Sequence, residues 1–164
     1  IVLGLTMGMQ PIVGYNFGAQ KIDRVKQTLR LGIISGVVIT SSGFVICEFF
    51  PHAVSALFTD SDELIDLAVG GIRLTVLMFP FVGAQIVIGN FFQSIGKAKV
   101  SIFLSLTRQL LYLLPCLLLF PNWWGLEGIW ISMPVSDALA FITAVISLMI
   151  YIKKVSKQHP VVAE

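Results

Sequence analysis

Apolar residues in this chain do not alternate with polar ones. They gather in long runs separated by short polar connections. A helix needs about 20 mostly apolar residues to cross the hydrocarbon core of a bilayer, and four runs reach that length. Residues 29–50 read LRLGIISGVVITSSGFVICEFF, and residues 64–96 form the longest run, without charge after Arg73. Residues 100–120 read VSIFLSLTRQLLYLLPCLLLF, and residues 128–152 read GIWISMPVSDALAFITAVISLMIYI. The opening run, IVLGLTMGMQPIVG, is too short to span and is expected to be the end of a helix begun upstream. Residue 1 is Ile within that run and no signal-peptide pattern follows, so the chain reads as a fragment.

The connections carry the second pattern. The first holds Lys21, Arg24, Lys26 and Arg30; the next, PHAVSALFTDSDE, holds acids and no Lys or Arg. Lys97 and Lys99 follow, then PNWWGLE with one acid and no base, then Lys153, Lys154 and Lys157. Basic residues thus occupy every second connection, and by the positive-inside rule those connections and the C-terminus face the cytoplasm. Trp123, Trp124 and Trp130 fall near the opposite end, where an aromatic belt is expected. Ile22, Val25 and Leu29 recur at helical spacing, so the second helix should begin before its membrane run. Composition agrees with the class: 12% of residues are charged and mean hydropathy is +0.89, against roughly 25% charged in soluble domains. The expected fold is an all-α, multi-pass transmembrane bundle of five helices, the first partial. The net charge of +2 and the scattered bases give no support to nucleic-acid binding.

Local signals refine the elements. Gly18 suits a helix C-cap. Asp60 with Glu63 reads as a capping box ahead of LIDLAV. The pairs Gly4/Gly8, Gly14/Gly18 and Gly32/Gly36 fit small-residue helix packing. Pro11, Pro80, Pro115 and Pro134 lie inside runs; each frees a backbone carbonyl and either bends its helix or reflects the ordinary frequency of proline in membrane helices.

Candidate chemistry is sparse. His52 and His159 lack Cys or acidic partners at ligand spacing, so no metal site and no cofactor are expected. Cys47 and Cys116 fall late in helices, where small packing side chains are expected rather than a disulfide. No phosphate loop is present, because no Lys-Ser or Lys-Thr follows the glycines. Acid, base and metal groups do not converge at one depth, so the chain does not read as an enzyme. Glu48 and Asp66 stand near the outer ends of their runs, within reach of water, and Arg73 lies deep enough to snorkel or meet a carboxylate. Arg108 and Asp137 are the deepest charges. Counted from Lys99 and Lys153, their heights differ by about 10 Å, so a pair, direct or through water, spans the gap only partly. Mutual neutralisation outweighs transport chemistry as its purpose.

Three stretches resemble one family. QPIVGYNFGAQKIDRVKQTLR resembles the loop in the second half of multidrug and toxin extrusion (MATE) transporters, FFQSIGKAKVSIFLSLTRQLL its next cytoplasmic turn, and GLEGIWISMPVSD the start of its last helix. The resemblance covers essentially the whole chain, in order. It implies twelve helices in two six-helix lobes around a cleft. Residues 1–153 would then be a partial C-terminal lobe, from the end of helix eight through helix twelve, and residues 154–164 a cytoplasmic tail. It further implies a plasma-membrane antiporter exporting organic cations or drugs in exchange for protons or sodium, completed by an N-terminal lobe. Some branches of the family carry a coupling acid on the helix matching residues 64–96. Here Asp66 sits near that helix's outer end with no acid deeper, which favours branches whose coupling acid lies in the N-terminal lobe.

A lipid-linked oligosaccharide flippase of the same superfamily is the alternative. It would call for more cleft cations than Arg73 and Arg108. A polyspecific exporter needs apolar, adaptable side chains with a few polar groups. Met78, Val82, Gln85, Gly89 and Gln93 recur on one helical face, and Gln10 adds an amide on the first helix. These residues either line a substrate cleft or hydrogen-bond between packed helices.

Overall fold

The computed structural model describes residues 1–158, with side chains through Val155. His159 lies outside the described residues. The described chain is helical: α1 Val2–Gly18, α2 Ile22–Phe49, α3 Pro51–Ala56, α4 Asp62–Val76, α5 Phe79–Ser94, α6 Ala98–Leu106, a π-helical segment Thr107–Leu113, α7 Leu114–Leu119, and α8 Pro121–Gln158. Three stretches are long and apolar enough to cross a membrane, Ile22–Phe49, Ala98–Leu119 and Pro121–Val155. The pair α4 and α5 reaches the same length and hydropathy only when taken together across a bend. As expected, α2 begins at Ile22, ahead of the apolar run.

The longest run, 64–96, is therefore not one straight helix. α4 and α5 meet at a 49° bend. Pro80 explains the break: it has no N–H and its ring clashes with the carbonyl four residues back, so it is tolerated in the first turn of a new helix and not in the interior of an old one. Pro115 acts differently. The turns before it widen into the π segment, whose last bond runs from the Leu114 N–H to the Gln109 carbonyl. The missing proline donor then falls where the register switches, and the span continues. Pro11 and Pro134 lie within helices that run on past them.

Two turns at one end share a cap. In the first, the Gln20 N–H donates to Phe17 O at 3.1 Å and the Lys21 N–H to Asn16 O at 2.9 Å. In the second, the Gly96 N–H donates to Gln93 O at 3.1 Å and the Lys97 N–H to Phe92 O at 2.8 Å. This is the Schellman pattern, which needs one left-handed residue. Gly96 (φ 76°) supplies it in the second turn, but in the first it is Gln20 (φ 60°), not the expected Gly18. The expected capping box also fails: α4 begins at Asp62 with Ser61 as N-cap and no side-chain cap bond, while the Ser61 N–H turns back to Thr59 Oγ1 at 3.3 Å.

The core joins α1, α2, α5 and α8 through Val13, Leu29, Val87, Phe91, Phe92 and Ala144, among others. Of the glycine pairs, Gly32 and Gly36 face neighbours closely, with Met9 and Val87 against Gly32 and Gly83 against Gly36. Gly4, Gly8 and Gly18 have open space around the position of a side chain. Trp123 and Trp124 are exposed at the opposite end from the Schellman turns. Trp130 differs from them in packing its ring on Gly71, where a Cβ would stand 2.8 Å from the indole. Gly125 (φ 55°) breaks α8 just before the portion that spans.

Candidate functional site

Within the bundle, α5, α6, the π segment and Leu3 of α1 enclose a partly open cavity of about 260 Å³. Its wall is mixed. Gln85, Gly89, Asn90 and Gln93 come from α5, Ser101 and Ser105 from α6, and Arg108 and Gln109 from the π segment. The residues at 85, 89 and 93 lie four apart and share one face of α5, as the spacing predicts. Gln85 is buried, and among the described residues its Oε1 has no hydrogen-bond partner. An unmet buried acceptor costs about 1–3 kcal/mol; this oxygen is itself shielded, so Gln85 borders the cavity with the rest of its side chain.

The structure separates the other cleft candidates from these. Met78 sits at the bend between α4 and α5, and neither it, Val82 nor Gln10 lines the cavity. The bend sets Met78 apart from the face of α5; Val82 lies in the same straight helix as Gln85, one turn beyond the cavity's end, and Gln10 is on α1. Ser101 and Ser105 were missed from sequence; with Arg108 they recur at i, i+4, i+7 in an otherwise apolar run, and that spacing is the signal that would have found them. Asn90 was missed too, and its side-chain amide donates to the Ile86 carbonyl at 3.0 Å, leaving its own oxygen free.

Arg108 and Asp137 meet directly. The Arg108 Nε–H donates to Asp137 Oδ1 at 2.8 Å, with the carboxylate side chain 8% exposed and the arginine 36%. The height difference counted from the loops overstated their separation. The Lys97 ammonium stands 4.8 Å from the Tyr151 ring centre, so Tyr151, not Lys153, is level with the α5–α6 turn. Counted from those two, Arg108 and Asp137 differ by only about 5 Å in helix rise, within an arginine's reach. A second link, Tyr112 to Thr143 at 2.8 Å, also joins the π segment to α8. π-turns widen a helix locally and recur at functional sites. Here the turn carries Arg108 and Gln109 to the cavity while Asp137 neutralises the guanidinium from behind. Arg73 is elsewhere, 3.9 Å from Glu48 and half exposed, so Arg108 is the cation of the cavity wall among the described residues. No group of three His, Cys, Asp or Glu placed to hold a metal occurs among the described residues.

Solved structures share this fold. The chain superposes on the MATE multidrug transporter DinF-BH with a TM-score of 0.85 and 37% identity, covering 90% of this chain and 33% of that one. It also matches the Vibrio cholerae MATE transporter VcmN (TM-score 0.85, 22% identity, 96% of this chain and 35% of that one), a likeness of fold. The multidrug export protein MepA of Staphylococcus aureus is 24% identical over 156 residues, 93% of this chain and 33% of MepA. The chain thus spans about a third of the length of the relatives it matches. Residues 1–118 match the MatE family model, and with the multi-pass helical fold this chain belongs to the MATE family of membrane transporters.

Proposed function

We propose that this chain supplies most of the C-terminal lobe of a secondary active exporter. Residues 1–153 form the lobe from the end of its eighth helix through its twelfth, and residues 154–164 a cytoplasmic tail. With an N-terminal lobe, the whole protein carries organic cations or drugs outward across the plasma membrane in exchange for protons or sodium. The basic turns at Lys21 and Lys97 and the end of α8 face the cytoplasm; the Trp123 end faces outside. The acid that couples transport to the ion lies outside this chain, since Asp66 is exposed at the start of α4 and Asp137 is engaged by Arg108.

The observation that carries this reading is the cavity. It combines amides and hydroxyls with apolar Leu3, Ile86 and Leu104, the mixture that suits largely apolar ligands carrying a few polar groups. Its one guanidinium is already neutralised, so a cationic ligand meets a paired charge and not a free one. The same count speaks against a flippase, because a pyrophosphate would call for several cations on this wall. Gln85→Ala in the full-length protein, at matched expression, is expected to change the ranking of exported compounds. Unchanged export of every compound, or simple loss of folded protein, defeats the reading.

A further inference from the structure

At the end of the bundle that carries the two Schellman turns, a groove of about 410 Å³ opens between α5, α6 and α8. Lys97, Lys99 and Lys154 stand at its rim, and Val100, Phe103 and Ile150 form an apolar wall. Phe103 is 55% and Ile150 64% exposed. A smaller groove of about 200 Å³, bounded by Phe17 and Ile22, shares Lys97, Tyr151 and Lys154 with the first. Two lysines therefore line both grooves, and the Lys97 ammonium is held over the Tyr151 ring. None of the three lysines is paired with a carboxylate among the described residues.

The two halves of this surface ask for one ligand. Phe103 and Ile150 lie on membrane-spanning stretches and meet acyl chains in any case, so the lysines beside them decide which headgroup stands there. A neutral acyl chain would cover the wall and leave the lysines unsatisfied. We propose that the groove binds an anionic phospholipid from the adjacent leaflet, with its phosphate between Lys97 and Lys154 and an acyl chain along Phe103 and Ile150. Basic pockets between membrane helices recognise anionic headgroups on these grounds. The bound lipid would tie the α5–α6 turn to the end of α8. The inference is independent of substrate and of which side of the membrane this end faces.

The test uses the full-length protein in detergent, with lipid retention read by native mass spectrometry. Phosphatidylglycerol is expected to be retained well above phosphatidylcholine and to raise the thermal unfolding midpoint. Lys97→Gln with Lys154→Gln should lower phosphatidylglycerol retention by roughly thirtyfold, from the usual contribution of a lysine near an anionic surface. Lys153→Gln, adjacent in sequence but outside the groove, should leave it unchanged. Equal retention of the two lipids by the unaltered protein, a measurement that needs no variant, overturns the proposal. So does unchanged retention in the double variant, or displacement of the lipid by millimolar inorganic phosphate, which would mark a site for a free anion.

Discussion

Helices α2 and α5 cross where Gly36 faces Gly83, and a single methyl group there has a calculable effect. A Cβ on Gly83 would collide with the Gly36 carbonyl and stand 2.5 Å from Thr40 Oγ1. A Cβ on Gly36 would stand 3.0 Å from the Gly83 carbonyl. Ordinary contact lies near 3.5–4 Å, and backbone cannot swing aside as a side chain does. Gly83→Ala must push the helices apart by about 1 Å, at an overpacking cost of about 1–3 kcal/mol. The move also strains the Thr40 hydroxyl, which donates to Gly36 O at 2.9 Å and reaches Pro80 O at 3.4 Å. Helix propensity returns about 1 kcal/mol for replacing Gly by Ala. Gly89, further along α5, has nothing within 4 Å of where a Cβ would stand and collects that gain without the clash. Both variants gain helix propensity, so they should differ by the overpacking cost alone, about 1–3 kcal/mol in stability, with Gly83→Ala the weaker. Apparent unfolding midpoints of the two full-length variants, in one detergent, measure this. Equal midpoints, or a higher one for Gly83→Ala, would refute the close crossing.

Asp137→Asn leaves Arg108 without its partner; because the arginine is partly exposed, the loss should be about 1–3 kcal/mol. It should appear as reduced folded yield, partly recovered when Arg108→Gln is added; full yield with selective loss of export would assign the pair to transport. For orientation, Ser61→Cys in a Cys47→Ala, Cys116→Ala background should react with an impermeant thiol reagent applied outside intact cells, and Lys99→Cys should not. The reverse labelling pattern would invert the proposed topology.

Much of the fold is legible in the sequence because a bilayer imposes length and charge rules on each helix separately. Run lengths located the spans, and three stretches in order carried the family. The spacing of Gln85, Gly89 and Gln93 was readable for the same reason, since it lies within one helix. What the sequence left open concerns neighbours. In water, apolar periodicity marks the side of a helix that packs; in lipid, both the packed and the exposed sides are apolar, so the pattern no longer names a partner. Only the tertiary structure set Gly36 against Gly83, placed Trp130 on Gly71, and brought Ser101 and Ser105 to the wall that Gln85 shares. The Arg108–Asp137 contact has the same origin. The relative height of two helices depends on how their ends dock, here Lys97 against Tyr151, and no count along a single chain contains that offset.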